Sequence, residues 1–547
     1  MAGEVSENNE SVFDAFIAAA AEVPDRLFVI APPSATRLYE PAGTTLTYRD
    51  AATAVALLRR TYARDGYGPG LRVALMLENR PAFLLHWLAL NALQVSVVPL
   101  NPALRAQELA YLLEHSEAAA VVTVPERAES VFAAIVAAKL ELPVGIAGEA
   151  FEPPLPHKAE AGASVPPAAK ECAVLYTSGT TGKPKGCILA NDYFLAAGRW
   201  YAAEGGLCTL RAGADRVLTP LPFFHMNAMA FSFQAVVETR NCLVMLDRFH
   251  PATWWTDVAK TQATAIHYLG VMPAILLGHP PSPTDRAHRV RFGFGAGVDP
   301  KHHAAFEKRF GFPLVEAWAM TETGAGACIA ASREPRRVGT RCFGKPAPAL
   351  AWRIVGDDGS EAAPGIPGEL YVRNAGPEPR AGFFAGYLKD PAATAAAWAD
   401  GWFRTGDVVR AVEGALHFVE RKKNVIRRSG ENIAALEVEG VLVEHAAVKE
   451  AAVIAVQDAT RGEEVMACVV LKAGLDPSET TARAIADFCR ERLAYFKAPG
   501  WVLFRDALPT TATQKVEKAK LKVPLAELLR SPTCFDLRTL KKPPVQH

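Results

Sequence analysis

Between residues 45 and 150 the chain switches its apolar spacing back and forth, and that alternation restricts the fold more than any other feature. LTYRDAATAVALLRRTYA places its apolar residues three and four apart behind a Thr-rich start, the pattern of an amphipathic helix. RVALMLE and SVVPL are short apolar runs suited to buried strands, AQELAYLLEHS returns to helical spacing, and AAAVVTV is a further strand. Strands alternating with helices of this length build βαβ units on a mostly parallel sheet. FEPPLPHKAEAGASVPPAAK (151–170) interrupts the pattern as a surface connector. CAVLYTS then resumes as a strand, runs into a Gly/Thr loop at 179–186, and the alternation continues to about residue 330.

From 340 to 420 the character changes: AWRIV, GELYVR and GALHFVE are short strands separated by Gly, Pro and Asp turns, as in an antiparallel sheet or barrel. After 420 the chain starts afresh as a smaller α+β unit, with LEVEGVLVEH and TARAIADFCRERL as helices and EAAVIAV and MACVVLKAG as strands. The last ~15 residues, rich in Lys and Pro, are expected to form a loose tail. At ~150 residues per domain, 547 residues make three or four folding units. The fold class is therefore α/β: parallel subdomains plus an antiparallel sheet or distorted antiparallel β-barrel over 1–420, and a small α+β C-terminal domain over 421–547.

Bulk properties exclude several functions. Lys and Arg total 59 against 58 Asp and Glu, so no global charge draws the chain to nucleic acid or an anionic membrane. The nine cysteines are scattered without a CxxC, which suggests neither a zinc knuckle nor a disulfide framework and fits reduced thiols in the cytoplasm. MAGEVSENNESVF lacks the basic start and apolar run of a signal peptide. The longest apolar stretch, Phe83 to Leu104, is broken by His86, Asn91, Gln94 and Asn101, so it is read as a buried helix running into a buried strand, not a membrane span. A homodimer is compatible with all of this.

The segment Tyr176–Gly186, YTSGTTGKPKG, has the strongest chemical signature. Its three glycines allow backbone N–H groups to approach a phosphate, and the hydroxyls of Thr177, Ser178, Thr180 and Thr181 join Lys183 and Lys185 as donors. It is not a Walker A loop, because Gly182-Lys183 is followed by Pro184 and position 177 lacks the first glycine. The segment resembles the signature loop of the adenylate-forming superfamily: acyl-CoA synthetases, firefly-type luciferases and nonribosomal peptide adenylation domains. Further elements follow in that family's order across nearly the whole chain.

Trp318-Ala319-Met320-Thr321-Glu322 resembles the family's aromatic-Gly-Met-Thr-Glu element. The likeness implies that Trp318 stacks on adenine, Thr321 contacts the α-phosphate and Glu322 holds Mg²⁺, while Ala319 in place of Gly narrows the acyl pocket. Gly401–Asp407 is similar to GWxxTGD and assigns Asp407 to the ribose hydroxyls. Glu420–Asn424 resembles the hinge: Arg421 contacts ribose or phosphate, and the C-terminal domain swings about Lys423. Ser429–Ile433 matches the loop that meets pantetheine, with Gly430 and Glu431 as coenzyme A contacts. Thr511–Lys515 corresponds to Thr-x-Ser-Gly-Lys, with Gln514 replacing Gly, and makes Lys515 the lysine between carboxylate and α-phosphate. Pro222–Ala228 resembles the Pro-Leu-Phe-His stretch, in which His225 gates the carboxylate, and Gly295-Ala296-Gly297 resembles the segment lining the adenine and acyl pockets. His302-His303 lacks ligand spacing and is read as surface. Taken singly, most of these motifs have ordinary structural readings, such as a turn Asp, a packed His or a solvated basic run; their order gives them meaning.

The resemblance implies an AMP-forming acyl-CoA synthetase that uses ATP, Mg²⁺ and coenzyme A on a small-molecule carboxylic acid. The alternatives are an acyl-AMP ligase that loads a carrier protein's phosphopantetheine, a luciferase-like oxygenase, and a non-catalytic acyl or nucleotide sensor. With no carrier-like domain after residue 547, free coenzyme A is the expected acceptor. The 429–433 and 511–515 elements look most like ligases of the crotonobetaine/carnitine and short-to-medium acyl type.

Overall fold

The computed structural model describes residues 10–34, 37, 39–148, 151–156, 171–177, 183–356, 358–421, 425–509, 516, 518–521 and 523–541. Four sheets organise them.

The first sheet joins Gly386–Tyr387, Lys185–Ala190, Glu171–Thr177, Ser96–Pro99, Arg72–Met76, Ala120–Thr123 and Val144–Ile146, in that order. Its interior pairs are parallel, and the Glu171–Thr177/Lys185–Ala190 hairpin is antiparallel. The expected helices lie between these strands. Tyr48–Arg64 starts at a Thr47/Asp50 capping box, which satisfies otherwise orphaned N–H groups. Pro81–Asn91 is buried over most of its surface and leads toward the buried strand Ser96–Pro99, as its broken apolar stretch requires.

The second sheet runs Ile329–Ala330, Leu314–Trp318, Phe292–Ala296, Ala265–Leu269, Arg216–Thr219, Cys242–Met245, Leu27–Ala31 and Thr44–Thr47. Its six middle strands are parallel, and both end pairs are antiparallel. The third, wholly antiparallel, orders Cys342–Gly344, Ala415–Arg421, Trp402–Val412, Gly368–Asn374 and Leu350–Val355, with Trp398–Ala399 also on Trp402–Val412. Register shifts at 342/344, 369/371 and 408/409 distort it, as bulges do.

The separate C-terminal domain has its own sheet: Glu431–Ala434, Val425–Arg428, Gly462–Leu471, Trp501–Phe504 and Cys534–Asp536, with Val448–Asp458 on Gly462–Leu471. Helices Ala435–Glu444 and Glu479–Arg492 contribute Val438, Leu442, Ile485 and Cys489 to a core whose fully buried members all lie beyond residue 425.

Two expectations change. The tail is not loose up to residue 541: Cys534–Asp536 pairs with Trp501–Phe504, Leu537 is buried, and the buried Lys541 reaches Glu464 Oε1 at 2.5 Å. A lysine-rich end reads as solvated unless its distant acidic partner is known. His303 is likewise buried, its Nε2 within 3.1 Å of Glu307 Oε1 and of the Leu314 carbonyl; only His302 is half-exposed. Among the described residues no helix is long and apolar enough to cross a membrane.

Candidate active site

The hairpin that carries the candidate phosphate loop sets Thr177 opposite Lys185 and Tyr176 opposite Gly186, so both arms of the loop leave the sheet together. Ser178, Gly179, Thr180, Thr181 and Gly182 lie outside the described residues. Lys183 Nζ stands 5.1 Å from the centre of the Tyr111 ring, and Tyr111 donates from its hydroxyl to the Pro184 carbonyl at 3.0 Å. Lys185 Nζ lies 5.0 Å from the Tyr387 ring centre and 3.8 Å from Asp390. Both ammonium groups thus stand over aromatic faces near the loop, and that of Lys185 is also ion-paired with Asp390.

Tyr387 joins this hairpin to the second sheet by donating from its hydroxyl to Glu322 Oε1 at 2.9 Å. Burial, followed by the neighbouring Glu322 carboxylate, keeps the phenol well above its ordinary pKa, so it remains a donor. Glu322 is 8% exposed and its carbonyl accepts from Phe384 N–H. Thr321 is half-buried in the same turn.

Trp318 ends the parallel strand Leu314–Trp318, at the edge where open α/β sheets bind ligands. Its indole N–H donates to Asp407 Oδ2 at 2.9 Å, and its ring is stacked with Phe343, centroids 6.0 Å apart. The residues expected at adenine and ribose are thus in contact. Arg421 is opposite Asp407 in the antiparallel register; its side chain is outside the described residues. Beside Trp318, Gly295 and Ala296 end the strand Phe292–Ala296 and Gly297 follows it. A Cβ at Gly295 would overlap the Tyr268 carbonyl oxygen, so glycine is required there for close strand packing. Glu316 fixes this segment by accepting from Gly297 N–H at 2.9 Å and Val298 N–H at 3.1 Å. Burial raises the Glu316 carboxyl above its ordinary pKa.

His225 lies on a loop held by Asn79, which donates to the Leu221 and Leu246 carbonyls at 2.8 and 3.1 Å and accepts from Phe223 N–H at 2.9 Å. Behind it the buried His267 has Nδ1 2.7 Å from Ser232 Oγ and 3.2 Å from Asn227 Oδ1, and Nε2 3.1 Å from the Tyr201 hydroxyl. Burial depresses its pKa to about 3, so the ring is neutral.

The C-terminal domain closes over this edge. His225 Nε2 is 3.5 Å from Glu431 Oε2, and Gly430 packs so tightly on Leu269 that a Cβ would overlap its side chain. Gly430 also has φ +93°, a region that favours glycine. Leu269 pairs in register with Ala296, so the 429–433 loop meets the strand ends that carry the candidate nucleotide residues. Lys423 and Lys515 lie outside the described residues.

The sequence reading missed Asn79, Glu316 and Tyr387. Each acts through a tertiary contact and sits in no chemical motif of its own. A Glu two residues before a motif Trp in an otherwise apolar strand run, as Glu316 is, was the one available signal.

Glu322 suits magnesium. Mg²⁺ typically takes one or two protein carboxylates and completes its shell with water and substrate phosphates. One oriented carboxylate beside the candidate phosphate loop matches that donor set.

A family model described as AMP-binding enzyme matches residues 16–388, and one described as AMP-binding enzyme C-terminal domain matches residues 437–515. The sulfoacetate–CoA ligase of Cupriavidus necator is 33% identical over 510 residues, covering 92% of this chain and 95% of its own. The crotonobetaine/carnitine–CoA ligase of Escherichia fergusonii is 30% identical over 472 residues, covering 84% and 89%. A double mutant of o-succinylbenzoate CoA synthetase from Bacillus subtilis, bound with the product analogue OSB-NCoA, is 25% identical and superposes with a TM-score of 0.78 over 94% of this chain and 98% of its own. The same enzyme in complex with its acyl-adenylate intermediate, again 25% identical and covering 94% and 98%, gives 0.62.

Proposed function

The chain belongs to the AMP-binding enzyme family, the adenylate-forming superfamily, and from that premise we propose how its residues divide the work of joining a carboxylic acid to coenzyme A. It is an AMP-forming acyl-CoA synthetase: acid and ATP give acyl-AMP and pyrophosphate, then coenzyme A displaces AMP. The observation that carries the division of roles is the link from Lys185 over the Tyr387 ring to Glu322, which joins the phosphate loop to the candidate metal ligand.

In the first half-reaction the carboxylate attacks the α-phosphorus in line and pyrophosphate leaves. Thr177, Lys183, Lys185 and the loop residues 178–182 hold the phosphates, Thr321 contacts the α-phosphate, and Lys515 bridges it to the carboxylate. Trp318 with Gly295–Gly297 holds adenine; Asp407 and Arg421 hold ribose. Glu322 would bind Mg²⁺, which offsets charge as it develops on the phosphates. In the second half-reaction the pantetheine sulfur attacks the acyl carbonyl and AMP departs. Gly430 lets the arm pass, and His225 and Glu431 flank it.

A boundary at 420/421, with rotation about Lys423, exchanges Lys515 for the 429–433 loop. Contact of that loop with Leu269 and the better superposition on the analogue-bound relative support the thioester-forming orientation for this structure. Free coenzyme A is the acceptor, as both named relatives are CoA ligases. The acid is small and polar, a reading supported by the acids in the relatives' names and by the polar His267–Asn227–Ser232 group, in which His267 and Ser232 are buried and Asn227 is half-buried. The enzyme is cytoplasmic and binds no nucleic acid, in keeping with its balanced charge and nine free cysteines. Light scattering distinguishes a monomer from a homodimer.

The test is pyrophosphate release over a panel of acids that includes sulfoacetate, crotonobetaine and carnitine. One acid should give pyrophosphate with ATP alone and sustained turnover with coenzyme A. Turnover supported only by a phosphopantetheinylated carrier protein would contradict the assignment of the acceptor.

A further inference from the structure

Glu108 opens the helix Ala106–Ser116 of the N-terminal domain, far in sequence from every motif above. Its carboxylate accepts from the backbone N–H of Arg105 at 2.9 Å, an ordinary cap within its own helix. It also accepts from two groups of the C-terminal domain: the backbone N–H of Ala494 at 2.8 Å and Lys497 Nζ at 2.6 Å. Lys497 Nζ donates in addition to Glu437 Oε1 at 2.7 Å, on the helix Ala435–Glu444. The side chains of Lys497, Glu108 and Glu437 are 7%, 8% and 12% exposed. Next to this cluster, Ala103 and Leu104 pack against the apolar core of the C-terminal domain.

We propose that Glu108 and Lys497 are positioning residues for thioester formation, a buried latch that holds the C-terminal domain in the orientation presenting Gly430 and Glu431 to the acyl-adenylate. The proposal rests on the reading of two half-reactions and on the orientation assigned above. A charge taken out of water is costly unless well-formed hydrogen bonds compensate it, and here each oxygen of Glu108 has a donor across the domain boundary. When the domain turns, Lys497 keeps Glu437, which belongs to the same domain, and Glu108 keeps the Arg105 N–H. Only the two bonds across the boundary are lost. The latch is therefore specific to one orientation and leaves both domains internally paired in the other.

Glu108→Gln tests this in the full chain, because Gln retains the capping role at that helix position while removing the charge that pairs with Lys497. A single turnover with labelled acid follows acyl-AMP and acyl-CoA separately. Dyes on cysteines introduced at the exposed positions Arg289 and Asp476 report domain orientation without reference to activity. Acyl-AMP formation should stay within about twofold of wild type, its discharge by coenzyme A should slow at least tenfold, and the dye-pair distribution should shift. Glu437→Gln is the contrasting variant: it removes only the partner within the domain, leaves the crossing bonds, and should not cause acyl-AMP to accumulate. Equal loss in both half-reactions with an unchanged dye distribution, or accumulation in Glu437→Gln but not in Glu108→Gln, overturns the latch. A wild-type enzyme that forms no acyl-AMP would instead remove the reading on which the latch rests, and the latch with it.

Discussion

The Tyr387 hydroxyl is the only described hydrogen-bond donor to the Glu322 carboxylate, so the two side chains should fail together. Glu322→Gln should lower ATP turnover and raise the Mg²⁺ concentration needed for half-maximal rate, since a neutral amide is a poor hard-cation ligand. Tyr387→Phe leaves the carboxylate but frees its orientation and should cost roughly 10-fold or more in activity, the scale for groups that orient metal ligands. A Mg²⁺ titration of both variants checks the pair; unchanged curves would remove Glu322 from the metal. Lys515→Ala should reduce acid-dependent pyrophosphate release at least ~10²-fold, the scale for a donor aimed at developing charge, while acyl-AMP supplied from outside is still converted to thioester. Normal adenylation in that variant would refute the role given to Lys515.

At the scale of elements, the helix Pro300–Phe310 buttresses the strand that ends in Trp318. Glu307 ties them together: it accepts from Arg336 at 2.6 and 3.0 Å and from Leu314 N–H at 2.9 Å. Burial alone would raise its pKa, but the bonds from His303, Arg336 and Leu314 win and bring it to about 2. A carboxyl depressed from its ordinary value contributes stability that is complete above about pH 4.5 and is lost as pH falls toward 2. Glu307→Gln should therefore cost about 3 kcal/mol at neutral pH, a gap that closes below pH 4.5 in acid-titrated denaturant melts. A pH-independent difference would contradict the ionic account. The same elements explain what the sequence could reveal. Helices and strands whose periodicity is local, such as 48–64 and 106–116, were legible, as were loops whose chemistry needs adjacent glycines and hydroxyls. Glu108, Asn79 and Tyr387 were not, because each derives its role from a partner at least 65 residues away. Lys541 was misread for the same reason, its partner Glu464 being 77 residues earlier.

For the whole molecule, the account requires one domain to serve two half-reactions in turn. Rotation through a few residues demands large φ/ψ changes at the hinge. Lys423→Pro fixes φ near −65° and restricts Lys422 before it, so acyl-AMP should form and accumulate while its discharge by coenzyme A slows. Full-speed thioester formation in that variant would mean that the chain does not swing at Lys423. Beneath both the hinge and the latch lies the claim that the acid's own oxygen attacks the α-phosphorus. With the acid found in the panel labelled with ¹⁸O in its carboxylate, one labelled oxygen should appear in AMP and none in pyrophosphate after a single turnover with coenzyme A. The other labelled oxygen stays in the thioester whichever phosphorus is attacked, so unlabelled AMP, with the departing label in inorganic phosphate, would contradict an acyl-adenylate pathway.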